Sequence, residues 1–163
     1  YVIGQFVERE ASVIELRLFG VFGPHEDYAI RFISNAICKA LHGIPITLRQ
    51  DRLFDYLYVN DLDPILRHFL SASPSDNIFN VTPDESVSLL TVATLVRELT
   101  GADVPILVAE SGLALPYTGD NSRLHNEIPQ IKFTPIKEAI KKLIEWYREH
   151  IHLVDTTLLM VDK

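Results

Sequence analysis

The sequence predicts an α/β fold, and three observations lead there. Several short segments rich in β-branched and aromatic residues read as strands, the segments between them carry apolar residues at helical spacing, and turn residues mark most junctions. The clearest period-two segment is Arg52-Leu53-Phe54-Asp55-Tyr56-Leu57-Tyr58-Val59-Asn60-Asp61. Leu53, Leu57 and Val59 fall on one face, and Phe54, Tyr56 and Tyr58 on the other. Both faces are apolar, so the segment reads as a strand covered on both sides. Arg52 opens it. A guanidinium at the mouth of a buried strand can hold two oxygens of a phosphate or carboxylate at once. An ordinary ion pair at a strand end is the other reading of the same residue.

The remaining elements follow in order. Tyr1 to Glu10 has the apolar spacing of a helix tail, and Ala11 to Phe19 reads as a strand with Val13 and Ile14 as its β-branched residues. Gly20-Val21-Phe22-Gly23-Pro24 then breaks regular structure and permits close backbone approach. From Tyr28 to His42 the apolar residues Ile30, Ile33, Ala36, Ile37, Ala40 and Leu41 define a helix, with Gly43 at its C-terminal cap. Ile44 to Leu48 is a short strand, which Pro45 places at an edge. Asn60-Asp61-Leu62-Asp63 offers a helix cap, Pro64 fits the first turn, and that helix runs to about Ser71. Ile78 to Val81 is a strand, Ser88 caps a helix that Gly101 stops, and Val104 to Ala109 is another strand. Ser111 to Asp120 is irregular, and Asn121 to Glu127 forms a short helix. Thr134-Pro135 starts a helix whose stripe is Ile136, Ala139, Ile140, Leu143, Ile144 and Tyr147. Leu153 to Lys163 lacks a pattern and reads as a mobile tail.

Composition narrows the function classes. With 47% hydrophobic and 23% charged residues, the 163-residue chain can bury a core as one domain or one large piece of a domain. A formal net charge of −7 without a basic cluster argues against a nucleic-acid binder. The single cysteine, Cys38, lies in a helical stripe as a small core residue and fits a reducing compartment. No apolar run reaches membrane-spanning length and no secretory signal opens the chain, so the cytoplasm is the expected location. No zinc-type Cys/His grouping is present, and no metal site is expected; His150 and His152 read as solvated. Arg17 reads as pairing with an acid, Asp61 and Asp63 as caps, and Trp146 and Tyr147 as packing residues. The chain opens on Tyr1 inside a helix-like pattern, which reads as a fragment of something longer.

Taken in order, these segments resemble the extended short-chain dehydrogenases, the NAD-dependent nucleotide-sugar epimerases and dehydratases. Arg17-Leu18-Phe19-Gly20-Val21-Phe22-Gly23-Pro24 is similar to their arginine-to-YGP segment. Arg52 to Asp61 is similar to their RDF-x-Y-V-x-D strand, and Phe79-Asn80-Val81 to the FNV strand. Gly119-Asp120-Asn121-Ser122-Arg123 is similar to the D-x-S-K/R segment. Thr134-Pro135 through Glu145-Trp146-Tyr147 is similar to the closing helix. The resemblance implies the C-terminal part of a Rossmann-type doubly wound sheet plus a small α/β substrate-binding lobe over residues 1–150, with 151–163 as a tail. No glycine-rich dinucleotide turn is present.

The resemblance also implies site residues. A Tyr-x-x-x-Lys pair carries the family's acid/base chemistry. Tyr1-Val2-Ile3-Gly4-Gln5 has glutamine at the lysine position, so the pair is expected upstream of Tyr1 and no catalytic residue within the chain. Leu18 and Phe19 would contact the NAD or NADP nicotinamide, with most of the cofactor held elsewhere. Gly20, Phe22, Pro24 and Arg52 would bind the nucleotide-sugar substrate, Arg52 at its diphosphate. Gly20 replaces a usual asparagine, and a second diphosphate arginine is not evident. The expected function is the substrate-binding portion of an epimerase, dehydratase or reductase of surface-polysaccharide sugars, with no nucleic-acid or membrane partner and with homodimerisation through an exposed edge. A degenerate nucleotide-binding relative and a free-standing α/β interaction module are the alternatives.

Overall fold

The computed structural model describes residues 13–74 and 76–160. The expected helix tail at Tyr1 to Glu10 and the opening of the first strand lie outside them. The elements, in chain order, are β1 (Glu15–Leu18), β2 (Gly20–Phe22), α1 (Phe32–Leu41), β3 (Ile46–Asp51), β4 (Leu53–Phe54), β5 (Tyr56–Tyr58), α2 (Leu62–Ser71), β6 (Ile78–Val81), β7 (Val87–Ser88), α3 (Leu89–Thr100), β8 (Ile106–Leu113), α4 (Ser122–Glu127) and α5 (Ile136–Glu149). Short 3-10 turns follow β5 and α5. Helices and strands alternate, as the sequence predicts.

Among the described residues three of the four strand pairs are parallel. β1 pairs with β6, β2 with β5 and β3 with β8, whereas β4 and β7 run antiparallel. Parallel pairing needs a crossover between the partners, and the helices supply it. The helices form because apolar residues recur on one face. In α5 the buried set is Ala139, Ile140, Leu143, Ile144 and Tyr147, a stripe that meets α1 and α3 around Ile33, Ile37, Val92 and Val96. Burying each large aliphatic side chain here stabilises the fold by about 1.5–3 kcal/mol. A smaller cluster, Leu57, Ile65, Val81 and Leu124, lies between β5, β6, α2 and α4.

The alternation holds at Tyr56, Leu57 and Tyr58. The two tyrosines pack on the larger cluster and Leu57 on the smaller one. It fails at the ends. The expected continuous strand is broken at Asp55 into β4 and β5, and Leu53 and Val59 are 40% and 36% exposed. The reason is the Asp55 side chain, which turns inward to serve hydrogen-bond donors from other segments.

Cap expectations divide. Ser88 Oγ accepts from Thr91 N at 3.0 Å, and Gly101 ends α3 at φ 72. Gly43 adopts φ 69 just after α1. Asp61 does not cap α2; its carboxylate accepts from Thr134 N at 2.9 Å and Thr134 Oγ1 at 2.7 Å, tying β5 to the start of α5. That contact also takes the Thr134 hydroxyl, so α5 starts without a side-chain cap. Asp63 pairs with Arg67 one turn on. The expected mobile tail folds back up to Met160. Leu159 is fully buried in the larger cluster, and Asp155 N donates to Tyr28 Oη at 2.9 Å.

Candidate substrate-binding site

The site is built around Asp55, which is 1% exposed. Its Oδ2 accepts from Thr82 Oγ1 at 2.6 Å and Gly119 N at 2.7 Å, and its Oδ1 accepts from Ser86 Oγ at 2.5 Å. Its carbonyl accepts from Gly20 N at 2.9 Å, and its N–H donates to the Tyr117 carbonyl at 3.2 Å. The carboxylate thus ties Thr82 and Ser86, after β6, to Gly119, and the Asp55 backbone adds the start of β2 and Tyr117. A buried carboxylate is tolerated because these donors replace water.

The joined segments gather rings. Phe54 stacks on Tyr56 at 5.0 Å between centroids and lies 4.9 Å from Tyr117, which in turn lies 5.3 Å from Phe19. Phe22 meets Tyr56 edge-on at 6.0 Å. Of these rings Phe54 lines both of two adjoining cavities, which also share Ile30, Phe32 and Leu89. The smaller, about 200 Å³, is lined by Gly20, Phe22, Glu26, Arg31 and Tyr56. The larger, about 470 Å³, is lined by Asn35, Lys39, Arg49, Gln50, Arg52 and Glu110.

The candidate residues are distributed unevenly. Gly20 and Phe22 line the smaller cavity and Arg52 the larger. Among the described residues Arg52 makes no ion pair. Its backbone accepts from Leu89 N at 3.1 Å. Leu18 and Phe19 line neither cavity. Leu18 stands at the carboxyl end of β1, 45% exposed, and Phe19 presses on Gly119 so closely that a Cβ there would lie 2.4 Å from Phe19 Cζ. Pro24 sits in the turn beside the smaller cavity without lining it. Arg17 bonds Glu15 at 2.7 Å on the surface, the structural role expected of it. His150 stacks on Trp146, and among the described residues no group of three or more His, Cys, Asp or Glu side chains is placed to hold a metal.

Register corrects one assignment. Anchored on Tyr58-Val59 and Asp61, the R-D-F-x-Y-V-x-D pattern puts its aspartate on Asp55 and its arginine on Phe54. Arg52 stands two residues earlier, on the same side of an extended chain. Phe54 and Gly20 then read as a matched pair. A Cβ on Gly20 would meet Asp55 O at 2.9 Å, Tyr56 Cδ1 at 3.1 Å and Phe54 Cδ1 at 3.2 Å, so the ring occupies room that a side chain at position 20 would need.

Two cavity residues escaped the sequence reading. Lys39 is buried on α1, and its Nζ donates to Thr47 Oγ1 at 2.5 Å; a lysine inside the stripe Ala36, Ile37, Ala40 is the signal that marks it. Glu26 lies in the turn before α1 and accepts from Ser34 Oγ. Burial pushes its carboxyl up to about 7, against the opposing pull of Ser34 and Arg31. No pattern in the sequence singles it out.

Comparisons place this architecture. Residues 5–82 match the sequence model of the NAD dependent epimerase/dehydratase family. GDP-L-fucose synthase of Dictyostelium discoideum is 24% identical over 143 residues, covering 78% of this chain and 44% of that protein. The dTDP-D-glucose 4,6-dehydratase of Bos taurus is 26% identical over 168 residues, covering 93% and 45%. Among solved structures, MoeE5 in complex with UDP-glucose and NAD superposes with a TM-score of 0.74 at 28% identity, covering 87% of this chain and 49% of that one. The resemblance to the extended short-chain dehydrogenases therefore holds, and the fold is that of a Rossmann-type relative. The chain spans about half the length of these relatives.

Proposed function

We propose that this chain is the substrate-binding portion of an NAD(P)-dependent nucleotide-sugar epimerase, dehydratase or reductase. Residues 1–150 then form the C-terminal half of the enzyme and 151–163 its tail. The observation that carries this reading is the pair of adjoining cavities, one with an unpaired arginine and one walled by aromatic rings. Arg52 offers a planar, fully charged donor set to a diphosphate. Gly20, Phe22 and Tyr56 present a narrow apolar wall to a sugar, whose C–H faces pack against rings.

Residues of this chain also fit a nicotinamide contact. In open α/β sheets, ligands bind outside the carboxyl ends of parallel strands, and Leu18 and Phe19 end β1 with Leu18 exposed. NAD or NADP would supply hydride acceptance there. The binding of its diphosphate and the Tyr/Lys acid/base pair belong, in this reading, to residues outside the chain. The enzyme would work in the cytoplasm on activated sugars for surface polysaccharides, as a homodimer.

The test is calorimetry of UDP-, dTDP-, GDP- and CDP-glucose on the full-length protein and its Arg52→Ala variant. Saturable binding of one sugar nucleotide, weakened about tenfold or more in the variant, is expected for loss of a charge-assisted bidentate contact. Equal binding by both proteins removes Arg52 from the site. A second reading, a relative that binds nucleotide sugars without turning them over, is favoured by Phe54 at the motif's arginine position and Gly20 at its asparagine position. Reduction of the nicotinamide during turnover by the full-length protein decides against it.

A further inference from the structure

Among the described residues Glu26 is the one carboxyl group on the wall of the smaller cavity. Its place is set by the backbone. His25 takes a left-handed φ of 68, rare for a side-chain-bearing residue, and the turn closes through Glu26 N donating to the Gly23 carbonyl at 3.4 Å. The turn aims Glu26 at the first turn of α1, where Ser34 Oγ donates to Oε1. The Ser34 backbone N–H acts on the same carboxyl group. The Tyr56 phenol is near enough for the Glu26 charge to add to the burial that pushes it up. The carboxyl group is thus anchored on Ser34, and the residue borders a space walled by Gly20, Phe22, Phe54 and Tyr56.

We propose that Glu26 determines the specificity of this cavity. Its carboxylate accepts a hydrogen bond from a hydroxyl of the bound sugar, and the same group turns away sugars that carry a carboxylate of their own. The assignment rests on the reading of the smaller cavity as the sugar site. A half-buried carboxylate can accept a hydrogen bond from a sugar hydroxyl, and two carboxylates brought together in a poorly solvated cavity repel strongly.

The groups around Glu26 leave it as the source of a pH response near neutrality. Arg31 and Asp27 stand in its own turn, Cys38 comes from α1, Tyr56 from β5 and Tyr147 from α5. Burial pushes both tyrosines upward and Cys38 up to about 12, away from neutral pH. The ring of His25 packs against Trp146, 4.9 Å away. Glu26 gains its charge as pH rises through about 7. Affinity for a carboxylated sugar should therefore fall over that range.

The experiment is calorimetric titration of the full-length protein, with NAD present, using UDP, UDP-glucose and UDP-glucuronate. Wild type and Glu26→Gln are compared at about pH 6 and about pH 8. Wild type should prefer UDP-glucose to UDP-glucuronate at the higher pH, and the preference should shrink by roughly tenfold or more in Glu26→Gln. UDP-glucuronate affinity should weaken with rising pH in wild type and stay level in the variant. UDP alone should bind both proteins equally, which also shows that the variant is folded. An unchanged preference with equal UDP binding overturns the assignment of Glu26 and leaves the larger cavity's role standing. Absence of UDP binding to wild type overturns that role and this assignment with it.

Discussion

Replacing Asp55 with alanine should be among the most damaging single changes in the chain. The carboxylate accepts three hydrogen bonds, from Thr82 Oγ1, Ser86 Oγ and Gly119 N, at 2.5–2.7 Å. Bonds to a charged acceptor contribute about 1.5 kcal/mol or more apiece, and removing the acceptor strands the buried Thr82 hydroxyl and the Gly119 amide. The expected loss is roughly 4 kcal/mol, which lowers Tm by roughly 10 °C for a chain of this size. Asp55→Asn keeps the shape and one acceptor oxygen, so its loss should be about half as large. Urea unfolding of the full-length proteins, followed by far-UV circular dichroism, reads both values. Thr82→Val, which removes one donor, should cost about 1 kcal/mol in wild type and much less on the Asp55→Ala background, because the two residues share one network. A loss below about 1 kcal/mol for Asp55→Ala, or full additivity of the pair, would refute the account of Asp55 as the junction of these segments.

Three further outcomes follow from the packing. Gly20→Ala should destabilise by about 1–3 kcal/mol by thermal unfolding, since its methyl group meets the Asp55 carbonyl at 2.9 Å and backbone cannot move aside as a side chain can. Tyr147→Phe should leave stability unchanged or raise it by about 1 kcal/mol, because the buried Tyr147 hydroxyl lies near Ser34 and Cys38 without reaching hydrogen-bonding geometry with either. Glu26 makes stability depend on pH. Its carboxyl is raised from 4.5 to about 7 in the fold, so its contribution is full below about 4.5 and is lost as pH rises through about 7. That loss amounts to about 3 kcal/mol at most, and Glu26→Gln should flatten the curve across this window.

Much of the fold was legible because periodicity and caps are local signals. The stripe of α5 from Ala139 to Tyr147, the Ser88 cap and the glycines ending α1 and α3 all sit where their spacing puts them. The errors share one origin: a side chain that bonds to something remote. Asp61 looked like a cap and serves Thr134 instead. Asp55 looked like one polar residue in a strand and breaks that strand to hold three distant donors. The site was legible only in part. Gly20, Phe22 and Arg52 reach the cavities, whereas Leu18, Phe19 and Pro24 stand beside them. Glu26 was invisible because its role depends on a left-handed residue before it and a serine eight positions on, and neither has a sequence pattern.

The strand pairing bears on how the chain folds. Among the described residues no two strands neighbouring in sequence are partners: Glu15 lies beside Ile78, Gly20 beside Tyr56, Ile46 beside Ile106 and Leu53 beside Ser88. Each of these ladders therefore closes a loop of dozens of residues before its first hydrogen bond forms, and none of them is a hairpin that could serve as a cheap start. Helices α1 and α3 can form and meet before β8 is made, while β3 waits for that strand and α5 joins last. Until β8 emerges, β3 is an unpaired edge, and the growing chain is most prone to aggregate in that interval.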